Sequence, residues 1–496
     1  SFSINNFNMS EINFRIVARV IGILLCFEAL FMLLPLSVAI YYNESDIYAF
    51  LLTIGITAIV GLCSTFIFKR HSKQMGKREG FLIVSTSWIF FSLFGMLPFL
   101  IHGDIDNITD AFFETMSGCT TTGATILDDI ESLPHGILFW RSLMQWLGGM
   151  GIILFTLAVL PMLNSGGGIQ LFNAEVPGIT HDKLRPRISE TAKRLWIVYL
   201  SITVLLIVLL VLGPMNFFDA VCHALTTTAT GGYSTKQNSI AYWDSAYIEY
   251  VIIIFMLISG INFSLVYHAA LGDYKKLLQD EETKWFLFVV LLATAAIAAG
   301  LFISGQIYGN AEKTIRTALF QVSTCITTTG FATADFAKWG PFFNVVIFCV
   351  MFFGACAGST SGGAKTIRMV VVLKNTANEF YRHLHPNAVV PVRINRRVIS
   401  YDLVSKILAF LFVYVLVVAI SALVLSSLGL SFEESFGCTL SCLSNVGPGF
   451  GRMSSDFSFE IIPTLGKWVL SFDMLIGRLE LFTVLILFSP YFWKKS

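Results

Sequence analysis

Ten stretches of about 20 predominantly apolar residues divide this chain, each long enough to cross the hydrocarbon core of a bilayer. They lie at roughly 16–42, 48–68, 81–101, 137–163, 195–213, 247–271, 284–304, 341–373, 401–428 and 467–492. A charged fraction of 13%, a hydrophobic fraction of 55% and a mean hydropathy of +0.72 match that pattern. Soluble domains carry about a quarter charged residues, so the chain belongs to the membrane class. The stretch at 341–373 is interrupted by Gly354-Ala-Cys-Ala-Gly358-Ser-Thr-Ser-Gly362-Gly363 and is expected to be broken in its middle. Residues 1–8 precede Met9 and read as a remnant foreign to the natural chain.

Lys and Arg concentrate in the segments after the second, fourth and eighth stretches, at 69–79, 181–194 and 365–397, and again at Lys494-Lys495. By the positive-inside rule these segments and the N-terminus face the cytoplasm. The opposite connections are rich in acid, including Asp104, Asp106, Asp110, Asp128, Asp129, Glu131, Glu433 and Glu434. An acidic mouth would concentrate cations, although orientation sorting alone also leaves acidic loops behind. The nine cysteines fall mostly in apolar stretches without CxxC or His/Cys ligand spacing, so no transition-metal site is expected.

Four of the outer connections share one pattern: a half-length apolar segment followed by a Thr/Ser/Gly-rich turn. They are Ala111-Phe-Phe-Glu-Thr-Met-Ser-Gly-Cys-Thr-Thr-Thr-Gly123-Ala-Thr, Phe218-Asp-Ala-Val-Cys-His-Ala-Leu-Thr-Thr-Thr-Ala-Thr-Gly231-Gly-Tyr-Ser-Thr, Ala318-Leu-Phe-Gln-Val-Ser-Thr-Cys-Ile-Thr-Thr-Thr-Gly330-Phe-Ala-Thr and Ser435-Phe-Gly-Cys-Thr-Leu-Ser-Cys-Leu-Ser-Asn-Val-Gly447-Pro-Gly. Aligned on Gly123, Gly231, Gly330 and Gly447, the units recur about every hundred residues, which marks an internal repeat. The reading is an all-α membrane protein with ten transmembrane helices. A two-helix unit (9–78) precedes four pseudo-fourfold helix–pore-loop–helix repeats at 79–170, 190–275, 280–375 and 398–496. Segments of 10–12 residues are too short to span, and irregular backbone at membrane depth survives only around a watery cavity or inside protein. Thr-Thr-Gly stretches supply closely spaced carbonyls and hydroxyls. Four of them around an axis could replace the hydration shell of an alkali cation, each backed by the negative end of a helix dipole.

These residues resemble the TrkH/KtrB family of potassium-transport proteins. The likeness rests on Ser117-Gly118-Cys-Thr-Thr-Thr-Gly123-Ala-Thr, Ala229-Thr-Gly231-Gly-Tyr-Ser-Thr, Thr327-Thr-Thr-Gly330-Phe, Ser444-Asn-Val-Gly447-Pro-Gly and Cys356-Ala-Gly358-Ser-Thr-Ser-Gly362-Gly363-Ala-Lys365, and it covers about Ile16 to Tyr491. The two spans before the first repeat resemble the TrkH branch. The resemblance implies gated, channel-like potassium uptake across a bacterial inner membrane, with K⁺ as permeant ion. It implies a K⁺ selectivity filter made of Thr121, Thr122 and Gly123; Ala229, Thr230 and Gly231; Thr328, Thr329 and Gly330; and Asn445, Val446 and Gly447. Only the glycine of TVGYG is kept in all four, so weaker K⁺/Na⁺ discrimination than in a strict K⁺ channel is expected. An intramembrane gating loop with Gly354, Gly358, Ser359, Thr360, Ser361, Gly362 and Gly363, and a pore-facing Arg478, are implied as well. So are a homodimer in the lipid bilayer and a cytosolic nucleotide-binding regulatory subunit of TrkA type, with no nucleic acid.

Other readings of the same residues remain. The 358–366 stretch has one residue too many for a Walker A loop and follows an apolar span, which argues against a nucleotide site. Arg478 could be an ion-pair partner of Asp473 or Glu480, and Glu28 a helix–helix hydrogen-bonding group. A K⁺/Na⁺ or K⁺/H⁺ symporter is the alternative function. It usually brings inverted repeats and midplane charges, whereas these repeats run parallel. No HExxH or GxSxG motif supports an enzyme, and no cofactor is implied for this chain.

Overall fold

The computed structural model describes residues 12–68, 76–151, 188–455 and 458–494. The leader 1–8 and most of the basic 165–194 segment lie outside these residues. Among the described residues the chain is helical apart from one two-stranded hairpin, Arg393–Ile394 paired antiparallel with Arg397–Val398, and one isolated bridge between Thr125 and Ser458. Six helices among the described residues are long and apolar enough to cross a bilayer: Phe14–Tyr42, Ile47–Ile67, Arg78–His102, Ala192–Val211, Glu281–Ile303 and Tyr401–Ser427. They sit where the apolar stretches predict them. The first and third are interrupted at Met32 and Met96, just ahead of Pro35 and Pro98. A proline ring clashes with the carbonyl four residues back, which places each break.

The other four predicted spans are not described as single continuous helices. Residues 247–271 form Ala246–Ser259 and Phe263–Ala270, bent by 110°. Residues 341–373 divide into Pro341–Phe353 and Thr366–Leu384 around the Gly-rich break, as the sequence suggests. The 467–492 stretch, expected to be continuous, stops at Arg478 and resumes at Phe482–Leu485. The 137–163 stretch is helical over His135–Gly149, and its second half lies outside the described residues. The reason lies in packing against other segments. A Cβ on Gly148 would meet the Cys119 carbonyl at 1.8 Å, and one on Gly477 the Leu443 carbonyl at 1.9 Å. Small residues let these helices approach the inner ends of the short helices, and the chain then turns.

The first two helices pack through glycines. A Cβ on Gly22 would lie 2.8 Å from the Gly61 carbonyl, and one on Gly61 2.8 Å from that of Gly22. Small-residue contacts of this kind hold helices together where lipid removes the hydrophobic drive. Apolar side chains such as Ile59, Leu205, Leu291, Phe412 and Leu423 remain exposed on the outside of the bundle.

Candidate functional site

Inside the bundle lie four short helices: Ile108–Cys119, Phe217–Thr228, Ala311–Ile326 and Phe432–Ser444. Each starts at a side-chain cap, from Asn107, Asn216, Asn310 or Ser431, and each has an acid in its first turn. Both features satisfy or complement the positive N-terminal end. This repeated cap is legible in the sequence as Asn or Ser ahead of each half-length segment. Replacing Asn310 by Ala is expected to cost about 1 kcal/mol of stability, read as a small drop in detergent melting temperature. Ser431 and Glu434 form a reciprocal capping box, and the hydrogen bond from Arg452 holds the Glu434 carboxyl down at about 2.

The four helices end alike. Thr121, Thr230, Thr328 and Asn445 adopt left-handed backbone, with φ of 54°, 52°, 55° and 56°. The next residue's N–H in each case reaches five residues back: Thr122 to Ser117 (2.9 Å), Gly231 to Thr226 (2.9 Å), Thr329 to Thr324 (2.8 Å) and Val446 to Ser441 (2.9 Å). This closing pattern normally uses glycine at the left-handed position. β-Branched threonine there costs about 1–3 kcal/mol, and such strain gathers at functional sites.

This shared geometry corrects the predicted register of the second unit. The equivalents of Thr121, Thr122 and Gly123 are Thr230, Gly231 and Gly232. Ala229 is instead the cap residue of its helix. The left-handed glycines are Gly123, Gly232, Gly330 and Gly447, with φ of 85°, 80°, 86° and 108°. The Gly231-Gly232 doublet offered two anchors, and spacing along the chain could not choose between them. Tyr233, following Gly232 as tyrosine follows glycine in TVGYG, was the available signal.

The four turns touch one another in cyclic order. A Cβ on Gly123 would meet the Gly231 carbonyl at 2.1 Å; on Gly232, that of Thr329 at 2.0 Å; on Gly330, that of Val446 at 2.1 Å; and on Gly447, that of Thr122 at 2.6 Å. The chain thus brings its four glycine turns into one closed ring. A cavity is lined by Gly123, Gly232, Gly330 and Pro448 from the ring, together with Arg141 and Lys236. Of the acidic residues expected at the mouth, Asp110, Glu131 and Glu434 pair with Lys467, Lys236 and Arg452.

Behind the ring lies a buried network that the sequence reading missed. Arg141 pairs with Glu114 at 2.8 Å, with 1% and 0% of the two side chains exposed. Glu114 also accepts from the Thr125 hydroxyl at 2.9 Å and the Ile126 N–H at 3.0 Å, while the Tyr233 hydroxyl donates to the Glu114 carbonyl at 2.7 Å. A buried pair survives when its remaining donors and acceptors are satisfied like this.

The 354–365 segment lies against the other end of the ring, formed by Thr230 and Thr328. The Gly362 N–H donates to Thr328 Oγ1 at 2.8 Å, and a Cβ on Gly362 would meet the Ser444 carbonyl at 2.1 Å. Thr360 Oγ1 donates to the Thr228 carbonyl at 3.1 Å and accepts from Thr230 Oγ1 at 3.3 Å. Thr121 Oγ1 and Asn445 Oδ1 are buried there without a hydrogen-bond partner among the described residues. The segment is tied at both shoulders to Glu282, whose Oε1 accepts from the N–H groups of Ala357 (2.7 Å) and Ile367 (3.2 Å). Gly354, Gly358 and Gly363 take left-handed backbone, with φ of 66°, 75° and 76°. Ser359 and Ser361 hydrogen-bond to each other at 2.6 Å.

Arg478, at the end of Thr464–Arg478, donates to the carbonyls of Thr360 (2.6 Å), Gly148 (2.6 Å) and Gly149 (2.8 Å). The groups weighed as its partners are engaged elsewhere. Glu480 pairs with Arg368, and Asp473 accepts from Ser421 at 2.9 Å. Glu28 also departs from expectation. It is fully buried, and neither carboxylate oxygen has a hydrogen-bond partner among the described residues.

A bundle of apolar membrane-crossing helices enclosing a ring of four helix-ending glycine turns defines a multi-pass membrane transport protein. Residues 47–495 match the TrkH family, described as a cation transport protein. The chain belongs to this family. It is 40% identical over 97% of its length to the whole of the Trk system potassium uptake protein TrkH of Salmonella typhimurium. It is 35% identical over 98% of its length to the whole of TrkG of Escherichia coli. The crystal structure of the potassium transporter TrkH from Vibrio parahaemolyticus superimposes with a TM-score of 0.87 at 37% identity, covering 97% of this chain and 100% of that one.

Proposed function

We propose that this chain takes up K⁺ across the bacterial inner membrane through a gated, channel-like path. In this reading Thr121–Gly123, Thr230–Gly232, Thr328–Gly330 and Asn445–Gly447 are the selectivity filter. Their carbonyls, with the hydroxyls at its inner end, replace the water of the ion. The 354–365 segment is the gate. Ten spans, several of them broken or bent, arrange as four helix–pore-loop–helix repeats after a two-helix unit, with the N-terminus in the cytoplasm. The chain works as a homodimer and is controlled by a cytosolic nucleotide-binding subunit of TrkA type, in keeping with the system named for its relatives.

One observation carries the reading. The Gly-rich segment hydrogen-bonds directly to the first residues of the glycine ring, through Gly362 to Thr328 and Thr360 to Thr230. A strand seated there closes the inner end of any path along the axis, and its Gly/Ser/Thr composition permits it to move. Arg478 grips the same segment at Thr360, adding a positive charge beside the route.

Purified protein in liposomes tests this reading through ⁸⁶Rb⁺ uptake under an imposed potential. Uptake should follow the potential, be competed by K⁺ more than by Na⁺ or Li⁺, and need neither a Na⁺ nor a proton gradient. Uptake that stops when the Na⁺ or proton gradient is removed would replace the channel reading with coupled symport.

A further inference from the structure

The four units of the ring are not equal at their second position. Three carry side chains there, Thr122, Thr329 and Val446, and the second unit carries Gly231. The backbone does not demand glycine, since Gly231 is absent from the left-handed residues that include Gly232. What excludes a side chain is Gln145. A Cβ on Gly231 would lie 2.4 Å from both Cδ and Oε1 of that residue. Gln145 comes from His135–Gly149, a helix of the preceding unit, and is fully buried.

Its amide uses both ends on the ring. Nε2 donates to the Gly231 carbonyl at 2.7 Å, and Oε1 accepts from the Tyr233 N–H at 3.0 Å. One partner is an acceptor and the other a donor, so only this orientation of the amide satisfies both. The two bonds bracket Gly232, the left-handed glycine of the second unit. Among the described residues, no side chain donates to the equivalent carbonyls of Thr122, Thr329 or Val446.

We infer that Gln145 is a specificity-determining positioning residue for the permeant alkali cation. It stands in for the side chain missing at Gly231 and shares that carbonyl, making one of four equivalent ligands weaker and fixed in direction. The inference rests on the filter reading above. A bond to the Gly231 oxygen occupies a lone pair that would otherwise face an ion, and the tie to Tyr233 holds Gly232 against the Thr329 carbonyl. Removing the amide frees the carbonyl and the two residues after it.

Gln145→Leu retains bulk and removes both bonds. K⁺-over-Na⁺ preference, measured by competition against ⁸⁶Rb⁺ uptake in liposomes, is expected to fall about fivefold, the effect of about one net hydrogen bond. Gln145→Ala combined with Gly231→Thr fills the vacated space with the residue that the first and third units carry. It is expected to recover most of the preference, whereas Gly231→Thr alone clashes with Gln145 and should not. If Gln145→Leu fails to fold, the double variant set against Gly231→Thr alone decides. Unchanged preference in a folded Gln145→Leu protein, or no recovery in the double variant, overturns the inference. Gly330→Ser, run alongside, separates the two failures: if it too leaves preference unchanged, the filter reading itself has failed.

Discussion

Replacing Gly330 with serine is expected to lower the preference for K⁺ over Na⁺ by about fivefold to a hundredfold or more, the range set by an overpacking cost of about 1–3 kcal/mol. Two effects act together. Gly330 sits at φ 86°, where side chains are strained, and a Cβ there lands 2.1 Å from the Val446 carbonyl and 3.0 Å from Pro448. The Val446 carbonyl must give way, and because the ring is closed its displacement passes to the next unit. Gly305→Ala separates the causes. Gly305 has a similarly left-handed φ of 72° but nothing within 4 Å of its Cβ position. It should lose a little stability and keep its selectivity. Competition of ⁸⁶Rb⁺ uptake by K⁺ and Na⁺ reads both variants. Equal behaviour of the two would mean that backbone strain alone, without contact inside the ring, explains the effect.

Arg478→Ala should raise basal ⁸⁶Rb⁺ flux, without any partner subunit, by about tenfold or more. A positive charge a few ångströms from a permeating cation costs about 4 kcal/mol at the effective dielectric of a protein surface. Arg478 also bridges the Thr360 carbonyl to those of Gly148 and Gly149, so its loss unfastens the 354–365 segment from the helix beside it. Arg478→Lys distinguishes the two roles. Lysine keeps the charge but lacks the planar fork that reaches several carbonyls at once. A leak in Ala but not Lys assigns the barrier to charge; a leak in both assigns it to the bridge. Normal flux in both variants would remove Arg478 from the gate.

The four turns were legible because their marks are local. Thr-Thr-Gly turns, half-length apolar segments and the Gly-rich break at 354–363 can each be read within a dozen residues. The register of the second unit was not, since Gly231 and Gly232 are equivalent as letters. The hydrogen bond from Gly231 to Thr226 and the contact of Gly232 with Thr329 tell them apart. Arg478 was recognised as exceptional for the same reason that its partners were missed. A charge inside an apolar stretch is visible in the chain, whereas three backbone carbonyls from residues more than a hundred positions away are not. Glu114 and Arg141 escaped notice because they are 27 residues apart and unremarkable singly.

Taken alone, the sequence determined that this chain lies in a membrane and carries four related turns, because apolar length and turn composition are properties of short stretches. Tertiary structure decided which glycines meet, where the spans break, and that Gln145 and Arg478 reach the ring and the segment beneath it. Those outcomes depend on which distant backbone groups are left without water, and only the assembled helices determine that.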